Sequence, residues 1–174
     1  MKGQLTIEYM LTFILFIGLI IFIYSQYSSN IPTFISEISK EDSRSKTYQI
    51  SELLLNDPGE PSDWDNDISS AERLGLSDET YNKSNLLSLD KITDLNSMCP
   101  SDYLGVQRLL ALNQTFYIRF YNITSTGLRD ILLDCSPPQA LITKTELNAT
   151  VRRITSFYNN TDGTINFGEL IIEV

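Results

Sequence analysis

The chain has 174 residues, with 13 Lys plus Arg against 22 Asp plus Glu, a net charge of −9 and no histidine. So acidic a chain is a poor electrostatic match for nucleic acid, which selects basic patches. Without histidine the commonest general base and metal ligand is missing. No Walker loop, Gly-x-Gly-x-x-Gly run or metal-spaced Cys/His set takes its place, so no enzyme activity, cofactor or catalytic residue is expected.

The chain opens with Met1-Lys2-Gly3-Gln4-Leu5-Thr6-Ile7-Glu8 and enters an apolar run from Tyr9 to Tyr24. Not one charged residue stands between Glu8 and Glu37. As a helix, residues 5–27 would extend roughly 34 Å at about 1.5 Å per residue. That length crosses a hydrocarbon core of about 30 Å. Leu, Ile and Phe favour insertion, Tyr9, Tyr24 and Tyr27 suit the two interfaces, and Lys2 ahead of the run places the N-terminus in the cytoplasm. On hydropathy alone this is a single-span anchor. A secretory signal carries its small-residue cleavage site after the apolar region, whereas here the Gly3-Gln4 junction lies before it. A cut there would leave the hydrophobic helix on the mature protein.

Lys2-Gly3-Gln4-x-Thr6-x-Glu8 closely resembles the class III signal of archaeal type IV pilins, with Thr6 where serine is commoner. The resemblance covers residues 1 to about 28. It implies that a prepilin peptidase cuts between Gly3 and Gln4 and that Glu8, fifth in the mature chain, pairs in the filament with a neighbouring subunit's α-amino group. By position alone, Glu8 would instead sit in the headgroup layer at little cost. Gln4 can also cyclise, which would remove the partner's charge. The family implies a precursor in the cell membrane, then an extracellular filament whose partners are other pilin subunits. The implied domains are a leader (1–3), a transmembrane and stalk helix (4–55) and an extracellular head (56–174). The alternative is a membrane-anchored surface glycoprotein or adhesin head that does not polymerise.

Further along, Ile31, Phe34, Ile35 and Ile38 recur at helical spacing before a polar stretch, Ser39–Thr47. The pattern predicts one helix to about Asn56, with a kink or break at Pro32. Asn56-Asp57-Pro58-Gly59-Glu60-Pro61 stops it. Residues 56–83 read as loop. Within them, Asp63-Trp64-Asp65-Asn66-Asp67 has the carboxylate spacing of a calcium loop, but Ile68 and Leu74 stand where glycine and glutamate are needed. An exposed acidic turn is expected and no metal site is assigned, a looser calcium site being the alternative.

Gly59-x-Pro61-x-x-Trp64, Leu74-Gly75-Leu76 and Asn85-x-Leu87-Ser88-Leu89-x-Lys91 are similar to a run in archaeal pilin-like surface proteins. Ser88–Leu95 and Ser101–Leu112 read as short helices, the second capped by Ser101. From Gln114 the period changes to that of strands. Phe116, Ile118 and Phe120 form one face, Ile131–Leu133 a second strand, and Leu141–Tyr158 one long strand or two. Asn159–Gly163 make a turn and residues 165–174 a last strand weakened near Gly168. Arg152-Arg153 reads as a solvated strand edge. The expected fold class is α+β: a long N-terminal transmembrane and stalk helix, then a head of short helices and an antiparallel sheet of about four strands. About 115 head residues suffice for one core.

Cys99 and Cys135 are the only cysteines, and in an oxidising compartment an isolated pair forms a disulfide; two buried thiols are the alternative. Five Asn-x-Ser/Thr sequons, at Asn82, Asn113, Asn122, Asn148 and Asn159, are candidate N-glycosylation sites.

Overall fold

The computed structural model describes residues 2–65, 70–79, 85–124, 126–141 and 149–174, the first five by backbone alone. They fall into two compact units, Met1–Glu41 and Asp42–Val174. Helix α1 (Lys2–Asn56) makes up the described part of the first unit and supplies residues 42–56 to the second. A helix satisfies its own backbone hydrogen bonds, which suits an apolar run with few other polar groups. The Thr12 and Ser29 hydroxyls do the same, donating to the carbonyls of Glu8 and Ser25 at 2.9 Å. The predicted break at Pro32 does not occur: the helix continues through it. Proline removes one intrahelical bond, and the turns on either side hold.

The helix ends where predicted. Pro58 cannot continue it, Gly59 takes a left-handed φ of 94°, and the Asp57 carboxylate accepts the Gly59 N–H at 2.8 Å. Beyond come β1 (Leu86–Ser88), α2 (Leu89–Ser101), α3 (Tyr103–Leu109), β2 (Tyr117–Ile123), β3 (Arg129–Cys135), a 3-10 turn (Gln139–Leu141), β4 (Thr150–Asn159) and β5 (Thr164–Glu173). The protein is α+β. Its sheet has the order β1-β4-β5-β2-β3, antiparallel except where β1 runs parallel to β4. The expectation of about four strands missed β1, whose three residues are too short to show a period.

The helix boundaries also differ from the reading. Ser88 belongs to β1, α2 extends to Ser101, and the Ser101 hydroxyl bonds back to Met98 at 2.8 Å. The cap of α3 is Asp102, whose carboxylate accepts the Gly105 N–H at 2.9 Å. Being acidic, it also complements the positive helix start. Helix α3 stops before Leu112 because Ala111 turns into the left-handed region at φ 53°.

One core fills the second unit. Ile50, Leu54 and Leu55 of α1, Trp64, Leu74 and Leu76 of the loop, and Ile92 and Leu95 of α2 meet Ile118, Phe120, Leu133, Phe157, Leu170 and Ile172 of the sheet. Small polar residues of α1, Ser43, Thr47 and Ser51, are buried too. Thr47 donates to the Ser43 carbonyl at 2.6 Å and Ser51 to that of Tyr48 at 2.7 Å, so they avoid an unmet hydrogen bond. Gly168 does not weaken β5: a Cβ there would strike the Phe120 ring, so glycine lets that ring lie across the strand.

Trp64 is fully buried, its indole N–H donating to the Gly75 carbonyl at 3.0 Å, rather than standing in an exposed turn. Tyr103 stacks on Phe116 at 4.6 Å and exchanges hydrogen bonds with its backbone at 2.8 and 2.9 Å. Burial pushes its hydroxyl pKa up. The two arginines of β4 divide. Arg152 is exposed, whereas Arg153 lies 4.6 Å over the Tyr48 ring and pairs with Glu52 at 2.5 Å, fastening β4 to α1.

Candidate functional site: the apolar helix and the braced head

Residues 9–24 of α1 are apolar on every side. Met10, Leu11, Phe13, Ile14, Leu15, Phe16, Leu19, Ile21, Phe22 and Ile23 are all exposed, as are Phe34, Ile35 and Ile38 further on. An amphipathic helix would concentrate such residues on one stripe; a helix hydrophobic all round belongs inside a large core or a bilayer. In water each uncovered Leu, Ile or Phe would forfeit about 1.5–3 kcal/mol of burial energy. The helix is long and apolar enough to cross a membrane. Glu8 stands exposed at its start, one turn before Thr12, and Tyr9 stacks on Phe13 at 6.5 Å. Gly3 and Gln4 lie in the helical backbone of α1.

In the second unit Cys99 of α2 and Cys135 of β3 form a disulfide, with Cα atoms 5.4 Å apart and both residues buried. It pins a helix to the strand at one end of the sheet. Beside it lies a cavity of about 540 Å³ lined by Cys99, Tyr103, Leu104, Ser136 and Pro138. A second, of about 360 Å³, is lined by Ile50, Leu53, Leu109 and Leu112 with Lys46 and Arg73 at its rim.

A buried cation escaped the sequence reading. Lys91 of α2 is 5% exposed, and its ammonium donates to the carbonyls of Pro58 at 2.8 Å and Ser77 at 3.2 Å. It ties the loop after α1 to α2. Burial lowers its pKa, opposed by Asp65, Glu79, Asp78 and Asp57 nearby. The signal in the sequence was faint: a lysine between Leu89 and Ile92 on an otherwise apolar helix face. Arg73 supports the same loop, reaching Asp57 at 3.1 Å and Glu60 at 3.4 Å.

The sequons are not equivalent. Asn113 is exposed between α3 and β2, Asn122 is half-buried within β2, and Asn159 closes β4; Asn82 and Asn148 lie outside the described residues. In the acidic segment Asp63 is exposed and Asp65 half-buried, whereas Asn66 and Asp67 lie outside the description. Among the described residues no three His, Cys, Asp or Glu side chains are grouped to hold a metal ion. Comparison with protein-family models, curated proteins and solved structures returns no match.

Proposed function

We propose that the chain is a structural subunit, major or minor, of an archaeal type IV pilus-like surface filament. In this reading a prepilin peptidase cuts between Gly3 and Gln4, and the released subunit assembles through its hydrophobic helix. The observation that carries it is the helix itself: apolar on all sides from Tyr9 to Tyr24, with no charge between Glu8 at its start and Glu37. A bilayer accepts such a helix before assembly, and like helices from other copies accept it afterwards. The Gly3-Gln4 junction ahead of the apolar run and the small disulfide-braced α+β head agree with that reading. No catalytic role forms part of it.

A membrane-anchored surface protein that never polymerises needs the same helix but gives Glu8 nothing to do. Glu8→Gln separates the two, since it keeps size and polarity while removing the charge. A carboxylate that orients an incoming subunit acts in a medium of low dielectric, where charge terms are large. The mutant should be cleaved and inserted normally yet enter filaments about tenfold less well, equivalent to roughly 1.4 kcal/mol. Glu72→Gln, at an exposed head position, is the control; Glu60 is unsuitable because it pairs with Arg73. Equal incorporation of wild type and Glu8→Gln would contradict the pairing role.

A further inference from the structure

A transferase that glycosylates asparagine must reach the carboxamide and the hydroxyl two residues on at the same time. Three of the sequons are described, and the fold places their asparagines differently. In Asn122-Ile123-Thr124, Asn122 is half-buried in a strand paired on both sides, opposite Asp130 of β3 and Gly168 of β5. Its Thr124 hydroxyl is 2.9 Å from that of Thr126 and donates to the Leu128 carbonyl at 3.1 Å. In Asn159-Asn160-Thr161, the Asn159 carboxamide oxygen accepts the Thr161 N–H at 3.0 Å, and Asn159 is paired with Thr164 across the β4–β5 ladder.

Asn113-Gln114-Thr115 differs in the exposure of its asparagine and in its backbone, while Thr115 is half-buried. Asn113 is exposed and stands outside every helix and strand, between α3 and β2. The loop backbone is held by the Gln107 amide, which donates to the Gln114 carbonyl at 2.9 Å, and at Phe116 by the Tyr103 hydroxyl. Lifting Thr115 toward an enzyme breaks no strand pairing, because β2 begins only at Tyr117. Loops of this kind present chemistry at low cost in fold stability.

From these three environments we infer that, among the described sequons, Asn113 is the glycan acceptor, and that Asn122 and Asn159 are passed over. The reaction joins Asn113 Nδ2 to the anomeric carbon of a phosphate-activated sugar. The C1–O bond to phosphate breaks, the phosphate leaves with the electron pair, and the amide gives up one proton. The inference rests on the proposed export of the head, since such a donor and its transferase act on the outer side of the membrane.

The test is site-resolved mass spectrometry of full-length protein from its native cell, read together with thiol alkylation before reduction. The expected result is a glycan on Asn113 and none on Asn122 or Asn159. That glycan should vanish in Asn113→Gln and in Thr115→Ala, and persist in Asn122→Gln and Asn159→Gln. Occupancy of Asn122 or Asn159 comparable with that of Asn113 would overturn the inference, because the fold would then not select the site. A bare Asn113 in protein whose Cys99 and Cys135 are oxidised would overturn it while leaving export intact. A bare Asn113 with both thiols free would sink the exported topology and this inference together.

Discussion

Single residues carry much of what this sequence encodes, and Lys91 shows how. A lysine buried among Pro58, Ser77 and the apolar face of α2 incurs a desolvation cost, which its two carbonyl acceptors and four neighbouring carboxylates offset only in part. Replacement by methionine keeps the volume but leaves those carbonyls without their donor. Thermal unfolding of Lys91→Met should show a loss of about 1–3 kcal/mol. Because burial lowers the lysine's pKa in the fold, the unfolded chain holds that proton more tightly. Stability from this group therefore rises as pH climbs from the folded pKa toward the unfolded value near 10.5. The mutant's deficit should widen over that window; a deficit that stays flat or shrinks would contradict the assignment. Gly168 teaches the converse: it reads as a flaw in a strand, yet the Phe120 ring requires it.

At the scale of elements, the disulfide between α2 and β3 is the strongest single constraint. Its ends are 36 residues apart, and closing such a loop is worth about 4 kcal/mol in the chain-entropy model. Reduction should lower the melting temperature and slow migration in denaturing electrophoresis. Unchanged melting after complete reduction would show that core packing alone fixes α2. The elements most legible in the sequence were those with a long period: α1 from its apolar run, β2 from Phe116, Ile118 and Phe120, and the β4–β5 hairpin from Asp162-Gly163. Those that escaped depend on distant partners. Three-residue β1 exists because β4 lies beside it, and Asp102 rather than Ser101 caps α3 because α2 runs on past Leu95 to Ser101, further than its apolar spacing suggested. Trp64 read as part of an acidic turn because its neighbours are charged, whereas its indole fills the core. Of the candidate sites, the Cys99–Cys135 bond was legible from cysteine number alone, while the difference among the sequons depends on tertiary pairing that no local motif reveals.

The whole molecule joins two parts with opposite demands. Residues 42–174 bury one core around a five-stranded sheet, as a water-soluble head must. Residues 9–24 expose apolar side chains on every side, a surface suited to lipid or to other such helices. The open face of the sheet adds Ile131, Ile154, Ile165 and Phe167 to the exposed apolar surface, more than a lone head in water would be expected to leave bare. The proposed filament role would reconcile these features: a leader would deliver the helix to the membrane, a cut at Gly3-Gln4 would free it, and packing with other copies would replace lipid. The most direct test is N-terminal sequencing, with intact mass, of this protein in filaments sheared from the cell surface. The account predicts a chain in the filament fraction that begins at Gln4, lacks Met1–Gly3 and carries an oxidised Cys99–Cys135 pair. A chain found only in the membrane fraction, or one in filaments that still begins at Met1, would contradict it.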